Sequence, residues 1–106
     1  MRAALKDEIS KALSRPNPPA LGELDRLLTD CAAEALRLHR EMGRLEHEID
    51  ATLIAAPGSQ PEVAAKAPGL LRRRRRLAAE SRRLSELMEA LRARRDRTPG
   101  SATANG

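Results

Sequence analysis

Residues 21–52 read LGELDRLLTDCAAEALRLHREMGRLEHEIDAT, and this stretch decides the fold. Apolar or small side chains recur in it at alternating intervals of three and four residues. This is the a/d seam of a coiled coil, here sustained for more than four heptads. The seam consists of Leu21, Leu24, Leu28, Cys31, Ala35, Leu38, Met42, Leu45, Ile49 and Thr52. With Asn17 as N-cap and Pro18 in the first helical position, the pattern predicts one long helix over 18–56.

A second heptad pattern covers 70–97. One row of its seam has a leucine at every seventh position: Leu70, Leu77, Leu84 and Leu91. The other row is less apolar and consists of Arg74, Ser81, Met88 and Arg95. A Pro/Gly connector at 57–69 separates the two patterns and includes a predicted short helix over 60–67. Two long amphipathic helices joined in this way predict an antiparallel hairpin, in which opposite residues have numbers that sum to about 125.

The N-terminal segment 1–15 is a predicted short amphipathic helix with Leu5, Ile9 and Leu13 on one face. A helix of three turns is too short to be stable alone, so we expect it to dock. The hairpin register leaves a leucine cluster beyond the end of the basic helix: Leu21, Leu24, Leu27 and Leu28. Either the N-terminal helix or a second protomer covers this cluster, which we predict to be a protein-interaction site. Residues 98–106 are a predicted disordered tail.

The composition supports an all-α class. The chain contains no Phe, Trp or Tyr, and 19 of its hydrophobic residues are alanine. Strands draw on β-branched and aromatic residues, whereas Ala, Leu, Glu and Arg favour helices. We therefore predict an antiparallel coiled-coil helical hairpin with a short N-terminal helix. Because Leu27, Leu36, Leu53 and Leu71 lie off the seam, we expect it to oligomerise into a helical bundle, with a dimer favoured, or to bind a helical protein partner.

The charges are polarised along the chain. The formal net charge is +5, but residues 21–56 carry −4 and residues 70–97 carry +7. An acidic helix beside a basic one fixes partner and orientation in a hairpin. The run Arg72–Arg76 has two interpretations. It is either solvated and paired within the chain, with Arg74 reaching Glu48 or Asp50, or it binds phosphates of RNA or another polyanion. The predicted polyanion-binding residues are Arg72, Arg73, Arg75, Arg76, Arg82 and Arg83.

Catalytic chemistry has little support in the sequence, and we expect no enzyme activity, cofactor or metal site. His47-Glu48 begins a zinc-protease motif, but Ala51 occupies the position of its second histidine. Cys31 is the single cysteine, and it is interpreted as a small core residue, although a symmetric dimer would bring two copies together. No apolar run reaches the length of a membrane span, and Asp7 and Glu8 argue against a signal peptide. A cytoplasmic location is expected.

One local resemblance concerns RNA. Val63-Ala64-Ala65-Lys66-Ala67-Pro68, followed by a heptad helix, resembles the hairpin turn in the C-terminal coiled-coil arm of valyl-tRNA synthetases. That arm is an RNA-contacting element, so the resemblance implies contact with RNA. The chain departs from the arm in its connector length and in having residues 1–20.

These observations favour a non-enzymatic coiled-coil adaptor or regulatory protein that acts through helix–helix contacts. The alternative is sequence-indifferent binding of RNA or another polyanion by the arginine-rich helix, since a chain without aromatic residues has no platform for stacking bases. An enzyme or nucleotide sensor built on an oligomeric bundle has the least support.

Overall fold

A computed structural model describes residues 1–15, 20–55 and 61–98 of the chain. All regular structure in these ranges is helical: α1 is Ala3–Ser14, α2 is Leu21–Ala55, α3 is Pro61–Ala64 and α4 is Ala67–Arg97. The all-α class is therefore confirmed, and α2 and α4 pack closely as the arms of a hairpin. The predicted N-cap Asn17 and the following Pro18 lie outside the described residues. The same holds for residue 56, the predicted end of the long helix, for residues 57–60 of the predicted connector and for the predicted tail after Thr98.

The basic helix begins at Ala67, before Pro68-Gly69, although the sequence pattern predicts its start at residue 70. Pro68 is accommodated because the first turn of a helix has no use for its backbone N–H groups. Leu70 already donates a helical hydrogen bond to the carbonyl of Lys66 at 3.1 Å. At the other end, the Thr98 hydroxyl donates to the carbonyl of Arg94 at 2.7 Å and closes the last turn.

The two long helices run antiparallel in a register that differs from the predicted one. Arg95 lies 3.3 Å from Asp25, and Arg74 lies 3.7 Å from Glu46. The residue numbers in each of these pairs sum to 120, whereas the centre of the Pro/Gly connector predicts about 125. The third ion pair between these helices, Arg73 with Glu41, sums to 114 and shows a difference of the same sign. The earlier start of α4 accounts for part of it, because it moves the centre of the connector toward the N-terminus.

The core is built on one row of the α2 seam. Every seventh residue from position 24 to position 52 is buried: Leu24, Cys31, Leu38, Leu45 and Thr52. The second row is less covered, since Leu21, Leu28, Ala35 and Met42 are only partly buried and Ile49 alone reaches the core. The α4 helix contributes Leu77, Leu84, Leu87 and Leu91. The seam of the hairpin is thus well closed along one side and half-open along the other.

Helix α1 folds back and packs against both long helices, parallel to α4 and antiparallel to α2. At one end, the amino group of Met1 lies 2.7 Å from Glu80; at the other, Arg94 donates to the carbonyl of Arg15 at 2.9 Å. The buried side chains of α1 are Leu5, Ile9 and Ala12, whereas the predicted third member of this face, Leu13, is only partly buried. The sequence allows either the N-terminal helix or a second protomer to cover the leucine cluster. In the structure, α1 packs there.

We predict that the packing of α1 depends on Ile9, whose side chain is fully buried. Ile9→Ala should lower the free energy of unfolding by about 2–4 kcal/mol, because it leaves a cavity between three helices. Urea unfolding followed by circular dichroism measures this loss. Lys11→Ala, at an exposed position on the same helix, should change stability by less than about 0.5 kcal/mol. Equal effects of the two substitutions would contradict the docked position of α1.

Candidate interaction surfaces

The four leucines of the predicted protein-interaction site do not form one surface. Leu24 and Leu27 are fully buried, because α1 covers them. Leu21 and Leu28 are partly buried and lie in the second row of the α2 seam. Side chains with no exposed area offer nothing to a partner, so the accessible part of the predicted site narrows to Leu21 and Leu28.

Leu28 lies in a groove that runs along the half-open side of the hairpin, away from α1. We define this open groove by the partly buried Leu28, Ala35 and Met42 of α2 and Ser81 and Met88 of α4. It contains a cleft of about 360 Å³ around Leu28 and Met88, and a second of about 250 Å³ around Ala35, Met42 and Ser81. Serine and half-buried methionines in an a/d row leave room for a further side chain.

The open groove has a cause in the sequence of α4. Its second seam row holds Arg74, Ser81, Met88 and Arg95, of which none is buried. Arginines at the two ends turn outward to the carboxylates of Glu46 and Asp25, so that they cover little of the apolar row on α2. The weak row was visible in the sequence, but it did not reveal that α1 would take the opposite side.

Charged side chains border the open groove at the end near Leu28. The cleft there is lined by Asp25 and Arg95, which pair with each other, and by Arg92, which has no carboxylate within 4.0 Å among the described residues. Charges at the rim of an apolar helix-binding groove select the orientation of the bound helix more than they add affinity.

All five arginines of the run 72–76 are exposed, and they divide by direction. Arg73 and Arg74 point back to α2, where they lie 3.2 Å from Glu41 and 3.7 Å from Glu46. The predicted partners of Arg74 were Glu48 and Asp50, and the shifted register explains the change. No carboxylate of the described chain lies within 4.0 Å of Arg72, Arg75 or Arg76.

Further arginines follow along the same side of α4. Arg82 is exposed and has no carboxylate within 4.0 Å among the described residues, and Arg83 lies 3.7 Å from Glu86 on its own helix. We call Arg72, Arg75, Arg76, Arg82 and Arg83 the arginine face. Of the predicted polyanion-binding residues, these five lie within about 120° of one another around α4 by helical spacing, whereas Arg73 donates to Glu41 on α2.

A buried carboxylate lies where α1 meets α2. Glu34 is 4% exposed, and its Oε1 accepts hydrogen bonds from Arg37 at 2.6 and 3.1 Å. Arg2 lies 3.6 Å and the amino group of Met1 3.9 Å from the same carboxylate. The Arg37 hydrogen bonds, together with these cations, hold the pKa of Glu34 below its usual range despite the opposing effect of burial. This network joins the start of α1 to the middle of α2.

Nucleophilic and metal chemistry find no assembled site in the described ranges. Burial, together with Asp30 and Glu34, raises the pKa of the Cys31 thiol and disfavours the reactive thiolate. No group of three or more His, Cys, Asp or Glu side chains in the described part of the chain is placed to hold a metal ion. None of the helices in that part combines the length and the apolar character needed to cross a membrane.

Several large apolar side chains are exposed on the hairpin. Leu36, Leu53 and Leu71, which the heptad pattern places off the seam, are 50%, 55% and 42% exposed. Leu27, the fourth residue of that group, is instead buried beneath α1. Ile54 is 80% exposed and was not singled out in the sequence, although its spacing from Leu36 places both on one side of α2.

Comparison with known proteins returns no similarity: no family model, no curated protein and no solved structure matches the chain. The resemblance of residues 63–68 to the valyl-tRNA synthetase arm is thus confined to that short segment, of which the side chains of Val63 and Ala64 lie outside the description.

The lowered pKa of Glu34 predicts an acid-sensitive contribution to stability, which comes first from the Arg37 pair within α2 and to a smaller extent from the amino group of Met1 and from Arg2. A carboxylate with a lowered folded-state pKa contributes stability that is present above its ordinary range and is lost as the pH falls through the lowered value. Glu34→Gln should therefore destabilise the protein by about 1–3 kcal/mol at neutral pH, with a smaller difference from the wild type at about pH 3. Thermal unfolding at several pH values measures this difference.

The matched control is Glu48→Gln, since Glu48 is exposed and has no ion pair among the described residues. It should change stability little at either pH. A difference between Glu34→Gln and the wild type that stays constant with pH would contradict the role given to the Glu34 carboxylate.

Proposed function

We propose that this chain is a non-enzymatic adaptor that binds an amphipathic helix of a partner protein in the open groove. The observation that carries the proposal is the uncovered second row of the α2 seam, where Leu28, Ala35 and Met42 are half-buried against Ser81 and Met88. The hairpin and α1 make three helices around one seam. A partner helix on the free side completes a four-helix arrangement and removes the remaining apolar surface from water.

The side chains of the groove suit a partner of variable sequence. Met42 and Met88 are flexible and polarisable, and methionine-lined grooves accommodate helices with different apolar residues. Ala35 and Ser81 are small, so that a bulky side chain of the partner fits between them. Arg92 lies at the rim and has no carboxylate within 4.0 Å in the described ranges, so it favours a partner helix with an acidic residue near that end.

The test is a quantitative pull-down of the full chain in which Leu28→Asp is combined with Met88→Asp. Two charges in the groove should abolish partners held there, because a buried unpaired carboxylate opposes binding by several kcal/mol. The control is Ala33→Asp with Ala93→Asp, at exposed positions of the same two helices. Circular dichroism establishes that both variants are folded. If the Leu28→Asp, Met88→Asp variant still binds every partner that the control variant binds, the proposal is wrong.

A second function, binding of RNA or another polyanion, is favoured by the arginine face. Arg72, Arg75, Arg76 and Arg82 form a cationic stripe on one side of α4. None of them has a carboxylate within 4.0 Å in the described ranges, although Arg76 lines a cleft together with Glu80. Guanidinium groups match phosphate oxygens, and a stripe at helical spacing follows a backbone of regular charges. Because the chain has no aromatic side chain, recognition of this kind rests on charge and not on base stacking.

Salt-dependent binding to duplex RNA tests this second function. Replacing Arg72, Arg75, Arg76 and Arg82 by Gln should reduce the magnitude of the slope of log affinity against log salt by roughly 3.6, if each of the four arginines contacts one phosphate. Replacing Lys6, Lys11, Arg44 and Lys66 by Gln removes the same formal charge from other exposed positions and should have a smaller effect on the slope. Equal slopes for the two variants would rule out a dedicated role of the arginine face.

A further inference from the structure

The side of α2 that points away from α4 carries a pattern unrelated to the seam. Leu36, Arg40, Gly43, His47, Asp50 and Ile54 follow one another at intervals of four, three, four, three and four residues. At 100° per residue they lie within about 80° of one another, roughly opposite the buried Leu38 and Leu45. All six are exposed, and Leu36 and Ile54 have 50% and 80% of their surface in contact with solvent. We call these six residues the outer face of α2.

The outer face has the spacing of a second coiled-coil seam, and its two halves are complementary to each other. The six residues form three pairs in which the two residue numbers sum to 90. Leu36 and Ile54 are both apolar, Arg40 and Asp50 have opposite charges, and Gly43 is small where His47 is large. Antiparallel coiled coils place an a residue of one helix beside a d residue of the other, in layers with a constant sum of residue numbers. The same face on two copies therefore matches itself.

We propose that two copies of this chain associate through the outer faces of their α2 helices, antiparallel, about a two-fold axis at the level of Leu45. Each of the three complementary pairs forms a layer on both sides of the two-fold axis. The contact therefore contains six layers over about 27 Å of helix. The groove and the arginine face lie on other sides of the hairpin, so this inference does not depend on the proposed function.

The pair of Arg40 and Asp50 favours a second copy of the chain as the partner of the outer face. Neither Arg40 nor Asp50 has an ionic partner within 4.0 Å among the described residues, although Asp50 lines a cleft together with Arg74 of α4. In the antiparallel contact, Arg40 of each copy lies beside Asp50 of the other. A partner of a single charge sign would satisfy only one member of the pair, whereas a second copy satisfies both.

Gly43 is the second argument. Glycine inside a helix costs about 1 kcal/mol relative to alanine. Nothing in the described part of the chain requires glycine here, because a Cβ atom at Gly43 would meet no atom of that part within 4 Å. The missing side chain leaves a shallow notch in an open surface lined by Arg40, Gly43, Arg44 and His47. In the antiparallel contact this notch lies beside the imidazole of His47 from the second copy.

Like charges at the edges limit the strength of the contact. Near the axis, Arg44 approaches Arg44 of the second copy on one edge, and Glu46 approaches Glu46 on the other. Both edges are exposed to solvent and salt, and Arg74 lies 3.7 Å from Glu46 in each hairpin. A single helix face per copy is also a small interface, so we expect a dissociation constant in the range of roughly 10–100 µM.

The decisive experiment is sedimentation equilibrium of the full chain, with charge-swapped variants. Arg40→Asp and Asp50→Arg, each alone, place like charges in two layers and should raise the dissociation constant at least tenfold, about 1.4 kcal/mol. The double variant R40D/D50R restores opposite charges and should return it to within about threefold of the wild type. A wild-type chain that is monomeric at about 500 µM, or a double variant as weak as the single ones, overturns the proposal.

The notch gives an independent measurement. Gly43→Leu fills it and should raise the dissociation constant about tenfold, while it favours the helix of the folded monomer. Gly22→Leu is the matched control, since Gly22 is exposed on the same helix, has equally open space around it and lies outside the contact. It should leave dimerisation unchanged. A dimer that Gly43→Leu leaves intact uses another face, which also overturns the proposal.

Discussion

One row of α2 side chains, repeating every seven residues from Leu24 to Thr52, holds the molecule together. Because the chain has no aromatic residue, each layer of this row is closed by leucine, isoleucine or a smaller side chain. Small layers, such as the one at Cys31, allow close approach of the helices, and the seven-residue period keeps them in contact over their length. The absence of rings is thus a condition of this packing, since an aromatic side chain in such a layer would push the helices apart.

The second row of the seam explains where the surfaces of the protein lie. On α4 this row is interrupted by Arg74 and Arg95, which turn outward to pair with α2. As a result, the matching row of α2 keeps part of its apolar surface exposed on one side of the hairpin, while α1 takes the other side. The open groove therefore arises from the same residues that fix the antiparallel orientation, and charge pairing and apolar coverage compete for the same positions.

Periodicity within one helix could be predicted from the sequence, whereas relations between helices could not. The α2 seam and the leucine row of α4 are local patterns, and the all-α class with paired long helices followed from them. The register did not, because it depends on which layers pack best and not on the centre of the connector, and an error of about one turn changed the partner of Arg74. Leu24 and Leu27 looked available for a partner because no local pattern shows which side of a hairpin a short helix will cover.

The charge surplus of α4 follows from helix geometry. Five consecutive arginines span about 400° of a helix, so they cannot all reach one acidic neighbour. Arg73 and Arg74 reach α2, and Arg72, Arg75 and Arg76 are left without a carboxylate within 4.0 Å in the described ranges. The outer face of α2 lies on the opposite side of the hairpin. A dimer through that face forms a layer of four long helices with an arginine face on each outer side and leaves both open grooves free. Self-association, a partner helix and a polyanion would then occupy separate surfaces, and none of these contacts has to exclude another.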